Sequence, residues 1–406
     1  MRLVLVRLLT ASVLGMVLLE RPVLDFQAGA RTHVLPPATS RLSQSYNRVL
    51  AIRELPDGRA LMATRDSAVP LLADFQSGVV TPVGRTGSGP GEFREVRSIL
   101  ALGGDSSLAD DQQNARWSIL AGARFVRSYP TWRVGWYGPR LAGADTSGGV
   151  LELVPIRYGA QAGVQVNQIP QNAESVLVVR HQRALAGSVR AIQRTDTIVR
   201  LRGAFRGVRR VQRRLGPDPG KGVGAWFELR AILAGDDQAL LFPDGWIAVA
   251  WQEPYRVDWR SPVGTWQRGS PLPFVRVPVD EAQRRAAVSR EWPRSPDLFA
   301  PGDFPSWPRF LPPFLGDALL ALPDGRLAVR RTADGRSNEV VYDLIDRNGM
   351  LTGRLVVPGN TILLAPGRDA LYVLVRDQDD LERVSRHPWP PVTRGGRESE
   401  TDGTRP

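Results

Sequence analysis

Short apolar runs broken by polar turns recur along most of the chain, and one phrase marks them. LPDGRALMATR begins at Leu55, FPDGWIAVAWQ at Phe242 and LPDGRLAVRRT at Leu322, with a degenerate copy, APGRDALYVLVR, at Ala365. Proline presets φ for the first central position of a turn, and Asp-Gly tolerates the tight or left-handed positions that follow. The residues after each turn alternate or run on as apolar, which is strand patterning. The phrase therefore predicts a repeated hairpin, and a repeat outranks any local motif.

Two copies sit in fuller units. VLAIRE (49–54), the first phrase, VPLLADF (69–75) and VVTPVGR (79–85) make four short strands in succession. Near the C-terminus DALLALPDGRLAVRRTADGRSNEVVYDLIDRNGMLTGRLVV (317–357) repeats the order: strand, PDG turn, strand, loop, strand, DRNG turn, strand. Successive four-stranded antiparallel units of about 40–50 residues predict an all-β propeller. Six blades are preferred, with seven left open by a less regular middle.

GRTGSGPGEF (84–93) carries four glycines and invites a phosphate-cradle reading. A Walker loop ends in Gly-Lys-Ser/Thr, whereas here Gly-Glu-Phe stands, and neither GxGxxG spacing nor a following helix is present. Pro90 also removes a backbone N–H that a phosphate would use. The stretch follows the fourth strand of one unit and precedes VRSILAL (96–102), so it reads as a connection between blades. GxGPGEF before an apolar strand resembles the NHL-type six-bladed β-propellers. LADDQQNARWSIL (108–120) is similar to that family's second strand, loop and third strand, with Asp111, Asn114 and Arg116 at its Asp-x-x-Asn-x-Arg positions. The resemblance runs over roughly 40–390, and its clear units are the first two and the last two.

The middle departs from it. VPVDEAQRRAAVSREWP predicts one inserted helix over 281–292, with Asp280 as N-cap, Glu281 in the first turn and Pro293 as the stop. Seven prolines between 293 and 313 mark an irregular crossover after it. Residues 391–406 lack apolar periodicity and read as a disordered tail. The N-terminus begins MRLVLVR and continues into LLTASVLGMVLL (8–19), an apolar run of signal-peptide length. Ala28-Gly29-Ala30 supplies a small-x-small cleavage site, so residues 1–30 read as a signal peptide or, if uncleaved, an N-terminal anchor. Residues 31–390 are then an extracytoplasmic propeller, periplasmic or secreted.

Composition changes this picture in three places. There is no cysteine, which excludes disulfides, thiolate metal sites and cysteine nucleophiles. The net charge is +12, but Lys221 is the one lysine among 53 cationic residues, which looks more like coding bias than a nucleic-acid surface. Three scattered histidines (His33, His181, His387) and no GxSxG elbow argue against zinc and against histidine-based catalysis. No metal-ligand set and no cofactor is expected, although a calcium site assembled from several blades at the central channel stays open. RDQDDLE (376–382) lacks the spacing of an EF-hand and reads as a solvated turn.

Fold does not fix function in propellers. The reading preferred here is a monomeric ligand-binding or protein-interaction module. The alternatives are a propeller hydrolase or lyase with a divalent metal in the central channel, and a scaffold within an envelope complex. If strands run outward from the centre, loops after each second strand share a face with the connections between blades. That face gathers Arg65, Asp66, Gln252, Glu253, Arg330, Arg331, Arg376 and Asp377 at the channel mouth, where convergent arginines would attract an anionic ligand. A second candidate is RLRGAFRGVRRVQRR (200–214), whose Arg202, Arg206, Arg209, Arg210, Arg213 and Arg214 could touch an anionic polymer or headgroups. Its simpler reading is a solvated strand and loop. Tryptophans crowd between Trp226 and Trp266, where packing between blades is the first expectation and stacking on a sugar or apolar ligand the second.

Overall fold

In the computed structural model the PDG phrases form the hairpins between first and second strands, and the flanking runs complete six antiparallel blades. Residues 31–131, 140–156, 175–182, 194–203, 208–215, 223–292, 295–333 and 338–390 are described. The signal or anchor segment, the C-terminal tail and Arg206 lie outside them.

Blade 1 comprises Val49–Glu54, Ala60–Thr64, Leu71–Ala73 and Val80–Pro82. Blade 2 comprises Val96–Gly103, Ser106–Asp111, Arg116–Ala121 and Arg124–Pro130. Blade 3 uses Arg140–Ala144, Val150–Ile156, Ser175–Gln182 and Arg194–Arg202, and blade 4 uses Gln238–Leu241, Ile247–Gln252, Tyr255–Arg260 and Trp266–Gln267. Blade 5 is built from Leu319–Ala321, Leu327–Arg330, Glu339–Ile345 and Leu351–Pro358, and blade 6 from Thr361–Pro366, Ala370–Arg376 and Glu382–Pro388. Strands are lettered A to D outward from the centre. Each A strand packs on the A strands of both neighbours, and blade 6 meets blade 1, so the ring closes.

Closure comes from the N-terminal side, as a ring with open strand edges would require. Ser40–Arg41 supplies strand D of blade 6, pairing antiparallel with Glu382–Pro388. Tyr46 N donates to Glu382 O at 2.8 Å and Glu382 N to Tyr46 O at 2.7 Å. His387 secures the same latch: Nδ1 lies 2.7 Å from Pro36 O and Nε2 2.9 Å from Ser385 Oγ. Burial pushes this imidazole below its ordinary pKa; the Pro36 carbonyl opposes the shift and Arg41 adds to it. Arg31–Val34 goes elsewhere, adding a fifth, parallel strand to blade 5.

The apolar pattern explains the stacking. Strand B of blade 1, ALMAT, is buried throughout because both of its faces meet other protein. Leu61 and Ala63 join Phe93, Val96 and Leu120 between blades 1 and 2, while Ala60 and Met62 join Tyr372 and Val384 between blades 6 and 1. Comparable clusters fill the other blade interfaces among the described residues.

A further cluster lies outside this ring. The helix α1 spans Glu281–Glu291, with the Asp280 side chain accepting from Gln283 N at 2.8 Å. It packs with the proline-rich crossover and with a two-stranded ribbon, Val208–Leu215 paired to Val223–Arg230. Leu229, Val288, Phe299 and Phe304 are their shared core. The arginine-rich run is therefore not a single strand and loop. Its start ends blade 3, and Val208 onward begins an inserted ribbon, because alternate side chains find an apolar floor in a second insertion more than 60 residues away.

Candidate functional site at the channel mouth

In five blades the described end of strand B or the B–C loop is bonded to the connection that precedes the blade. Asn47 N donates to Asp66 Oδ2 at 2.7 Å in blade 1, and Glu95 N to Asp111 Oδ1 at 3.1 Å in blade 2. Gln252 N donates to Asp237 Oδ1 at 3.0 Å in blade 4, Arg331 Nε to Pro313 O at 3.1 Å in blade 5, and Asn360 Nδ2 to Arg376 O at 3.1 Å in blade 6. These bonds put the B–C loops and the inter-blade connections on one face, at the mouth of the channel.

The glycine-rich stretch is fixed the same way. Asp111 is fully buried and accepts from Arg94 N, Glu95 N and Asn114 Nδ2, while Arg116 donates to Ser88 O at 2.8 Å and to Gly89 O at 3.0 Å. Within the loop, Gly89 N donates to Glu92 Oε2 at 2.7 Å. A Cβ on Gly87 would collide with the same carboxylate. The loop thus turns its own acid onto its amide groups, which is where a phosphate would have to sit.

Stitching also engages most of the predicted mouth residues. Gln252 Nε2 donates to Phe314 O at 2.9 Å and Asp236 O at 3.1 Å, and Asp377 Oδ1 accepts from Asp379 N and Leu381 N. Arg331 pairs with buried Asp343 at 2.7 Å and lies over the rings of Tyr255 and Phe274. Arg376 pairs with Glu382 at 2.8 Å, and the buried Glu382 accepts from Val49 N at 2.6 Å. Glu382 is therefore a closure residue, in contrast to the solvated turn expected for RDQDDLE as a whole. Arg65 is exposed, Arg330 is half-buried beside the Tyr342 hydroxyl, and exposed Glu253 stands 3.7 Å from Arg276.

Three further side chains that the sequence patterns did not single out come together at the mouth. Arg140 opens strand A of blade 3 and forms an ion pair with Asp317, just before strand A of blade 5. Asp236, just before strand A of blade 4, acts on the same guanidinium. Arg140 is 47% exposed, yet burial lowers its pKa, with Asp236 working against that shift. Its partner Asp317 is 81% exposed, so water reaches this pair. Asp236 is pushed above the usual carboxylate range, chiefly by burial; Arg140 opposes the shift and Asp237 adds to it.

The supports of this trio are rigid. Gln238, 3% exposed, donates through Nε2 to Gly316 O and accepts Ala318 N at 3.1 Å, which fixes the segment carrying Asp317. Gln252 holds the Asp236 carbonyl, and a Cβ on Gly235 would meet the Gln252 amide. One signal could have found the acids: Asp317 and Asp237 each stand five residues before a PDG phrase, with Asp236 alongside. Chemically the trio can bind and orient a small polar ligand, with one cation between two carboxyl groups. Among the described residues, no three His, Asp or Glu side chains gather as a metal-holding group.

The second predicted patch divides. Arg213 turns inward to Asp303 and Leu298 O, and Arg209 donates to Gly302 O at 2.6 Å. Arg210 pairs with Glu228 at 2.8 Å on the outward face, where Arg214 is also exposed, as is Arg202 at the end of blade 3. The tryptophans divide too: Trp259 is fully buried, whereas Trp226 is 68% exposed.

No family model matches the chain, and no curated protein matches it by sequence. Among solved structures it is similar to a member of the DUF4221 family from Bacteroides vulgatus, at 9% identity and a TM-score of 0.46, over 87% of this chain and 97% of that one. It is also similar to the calcium-binding protein regucalcin from Agrobacterium tumefaciens, at 11% identity and TM-score 0.36, over 88% and 97% of the two chains. Virginiamycin B lyase from Staphylococcus aureus aligns at 9% identity and TM-score 0.37, over 87% and 88%. At such identities the function of this chain has to be argued from its own residues. No described helix is long and apolar enough to cross a membrane.

Proposed function

We propose that this chain is an exported, NHL-like propeller acting as a binding module, and that it takes a small anionic ligand at the channel mouth. The observation that carries this reading is the convergence of Arg140, Asp236 and Asp317, from three blades, where water reaches the Arg140–Asp317 pair. The half-exposed Arg140 guanidinium has planar N–H donors beyond the one that faces Asp317, and these can meet a ligand carboxylate or phosphate. Exposed Arg65 and half-buried Arg330 on the rim add positive potential in the same direction. Export rests on the cationic start, the apolar run 8–19 and Ala28-Gly29-Ala30.

The test is a thermal-shift screen of the mature chain against small carboxylates and phosphorylated compounds. A stabilising anion should emerge, and Arg140→Ala should weaken its binding about tenfold or more while the melting profile stays cooperative. An anion bound equally well by Arg140→Ala would move the site away from the channel mouth. No stabilisation by any member of the panel would count against an anionic ligand.

A further inference from the structure

The inserted ribbon carries an outward face that closing the propeller does not use. Along the strand Val223–Arg230, Phe227 and Leu229 pack toward the helix and crossover, whereas the exposed Trp226 and Glu228 alternate onto the other side. On the facing strand Arg210, Gln212 and Arg214 are exposed. The register pairs Arg210 with Glu228, Gln212 with Trp226 and Arg214 with Gly224. Among the described side chains of this face Trp226 is the one large apolar group, and it is 68% exposed. Strand alternation holds it there, because its neighbour Phe227 is committed to the inner side.

The surroundings of Trp226 describe what could lie on it. Gly224 contributes no side chain, and the Gln212 amide lies over it, 3.0 Å from where a Cβ would stand, so a polar amide borders the indole. The rim consists of planar polar groups, an amide, a carboxylate and guanidinium groups, which pair with hydroxyls and carboxylates in two directions. Such a rim does not suit an acyl chain. Charge points the same way: the described ribbon has Arg209, Arg210, Arg213, Arg214 and Arg230 against Glu228, and one nearby acid, Asp303, faces both Arg209 and Arg213. From Arg210 to Arg214 the strand extends roughly 14 Å, room for an extended polymer.

We propose that this face docks an acidic polysaccharide, with a sugar ring stacked on the Trp226 indole and its carboxylate turned toward Arg210 and Arg214. Flat stacking on an aromatic ring supplies contact area at little entropic cost, and the net positive ribbon supplies salt-sensitive attraction. The module is preorganised for this, since two insertions fold against each other to support a ribbon the ring does not need.

Affinity electrophoresis of the full mature chain in gels containing polygalacturonate, with neutral dextran as comparison, tests the proposal. The expected result is retardation by polygalacturonate alone, weakening as salt rises. Trp226→Ala should weaken it about tenfold with an unchanged melting temperature, and Trp226→Phe should restore part of the loss. Arg210→Ala combined with Arg214→Ala should flatten the salt dependence. Absence of retardation, equal retardation by dextran, or indifference to Trp226→Ala would each overturn the proposal. Trp226-dependent binding to vesicles containing phosphatidylglycerol, without polygalacturonate binding, would overturn it in favour of a headgroup surface.

Discussion

The A–B turns of blades 1 and 4 have the same Pro-Asp-Gly core and are held in different ways. In blade 1 the residue after the glycine is Arg59, which folds back to pair with Asp57 at 2.6 Å, both groups about half exposed. Blade 5 repeats this with Arg326 and Asp324, also at 2.6 Å. Blade 4 has Trp246 at that place, and its Asp244 is met at 2.7 Å by Arg347 from the DRNG turn of blade 5. The same guanidinium lies over the rings of Trp246, Trp259 and Phe242, 4.8 to 5.4 Å from their centroids. One residue therefore converts a local pair into a lock between blades. Blade 3 carries the conversion further: its turn aspartate, Asp145, is buried with Arg180 from strand C and also caps Ser147 N and Gly149 N.

The comparison is broken most severely at blade 3. Removing one partner of a buried, hydrogen-bonded ion pair leaves an uncompensated charge. Arg180→Ala should cost about 3–5 kcal/mol in urea unfolding. A loss below about 1 kcal/mol would show that Asp145 is as well solvated as Asp57. The intermediate case is Arg347→Ala, which removes an ion pair, stacking on three rings and the contact of blade 5 with blade 4. A loss of about 1–3 kcal/mol is expected, and Arg347→Lys should recover little of it, since an ammonium lacks the flat stacking surface. Full recovery by lysine would reduce the lock to its charge. The smallest effect belongs to blade 1, where Asp57→Ala should change stability by less than about 1 kcal/mol and lose even that in high salt. A larger, salt-resistant loss would mean that the exposed pair is not merely local.

These differences bear on what could be read in advance. Residues near one another in sequence announced themselves: the PDG turns, the DRNG turn, the 281–291 helix and the Asp111–Asn114–Arg116 clasp on the glycine-rich connection all matched their expected elements. The two N-terminal strands part ways, Ser40–Arg41 closing blade 6 and Arg31–Val34 joining blade 5, a choice that depends on distant partners. The acids that meet Arg331 and Arg376, Asp343 and Glu382, lie on the neighbouring strand and were hidden until register was known. Arg140, Asp236 and Asp317 come from three blades, and the place of the acids before a PDG phrase does not link them to Arg140.

The sequence by itself determined the repeated hairpins, the four-stranded unit and the turn chemistry, because φ preferences, alternation and short-range capping act within a few residues. Tertiary structure alone decided which arginine meets which acid, which tryptophan stays outside, and that two insertions would build one module. Those outcomes depend on register between strands and packing between blades, where a charge far away in the chain becomes the nearest neighbour. Trp226 and Trp259 show the division plainly. Each lies within a strand, VGAWFELR and YRVDWR, yet Trp259 is sealed between blades and Trp226 stands on the outer face of a ribbon.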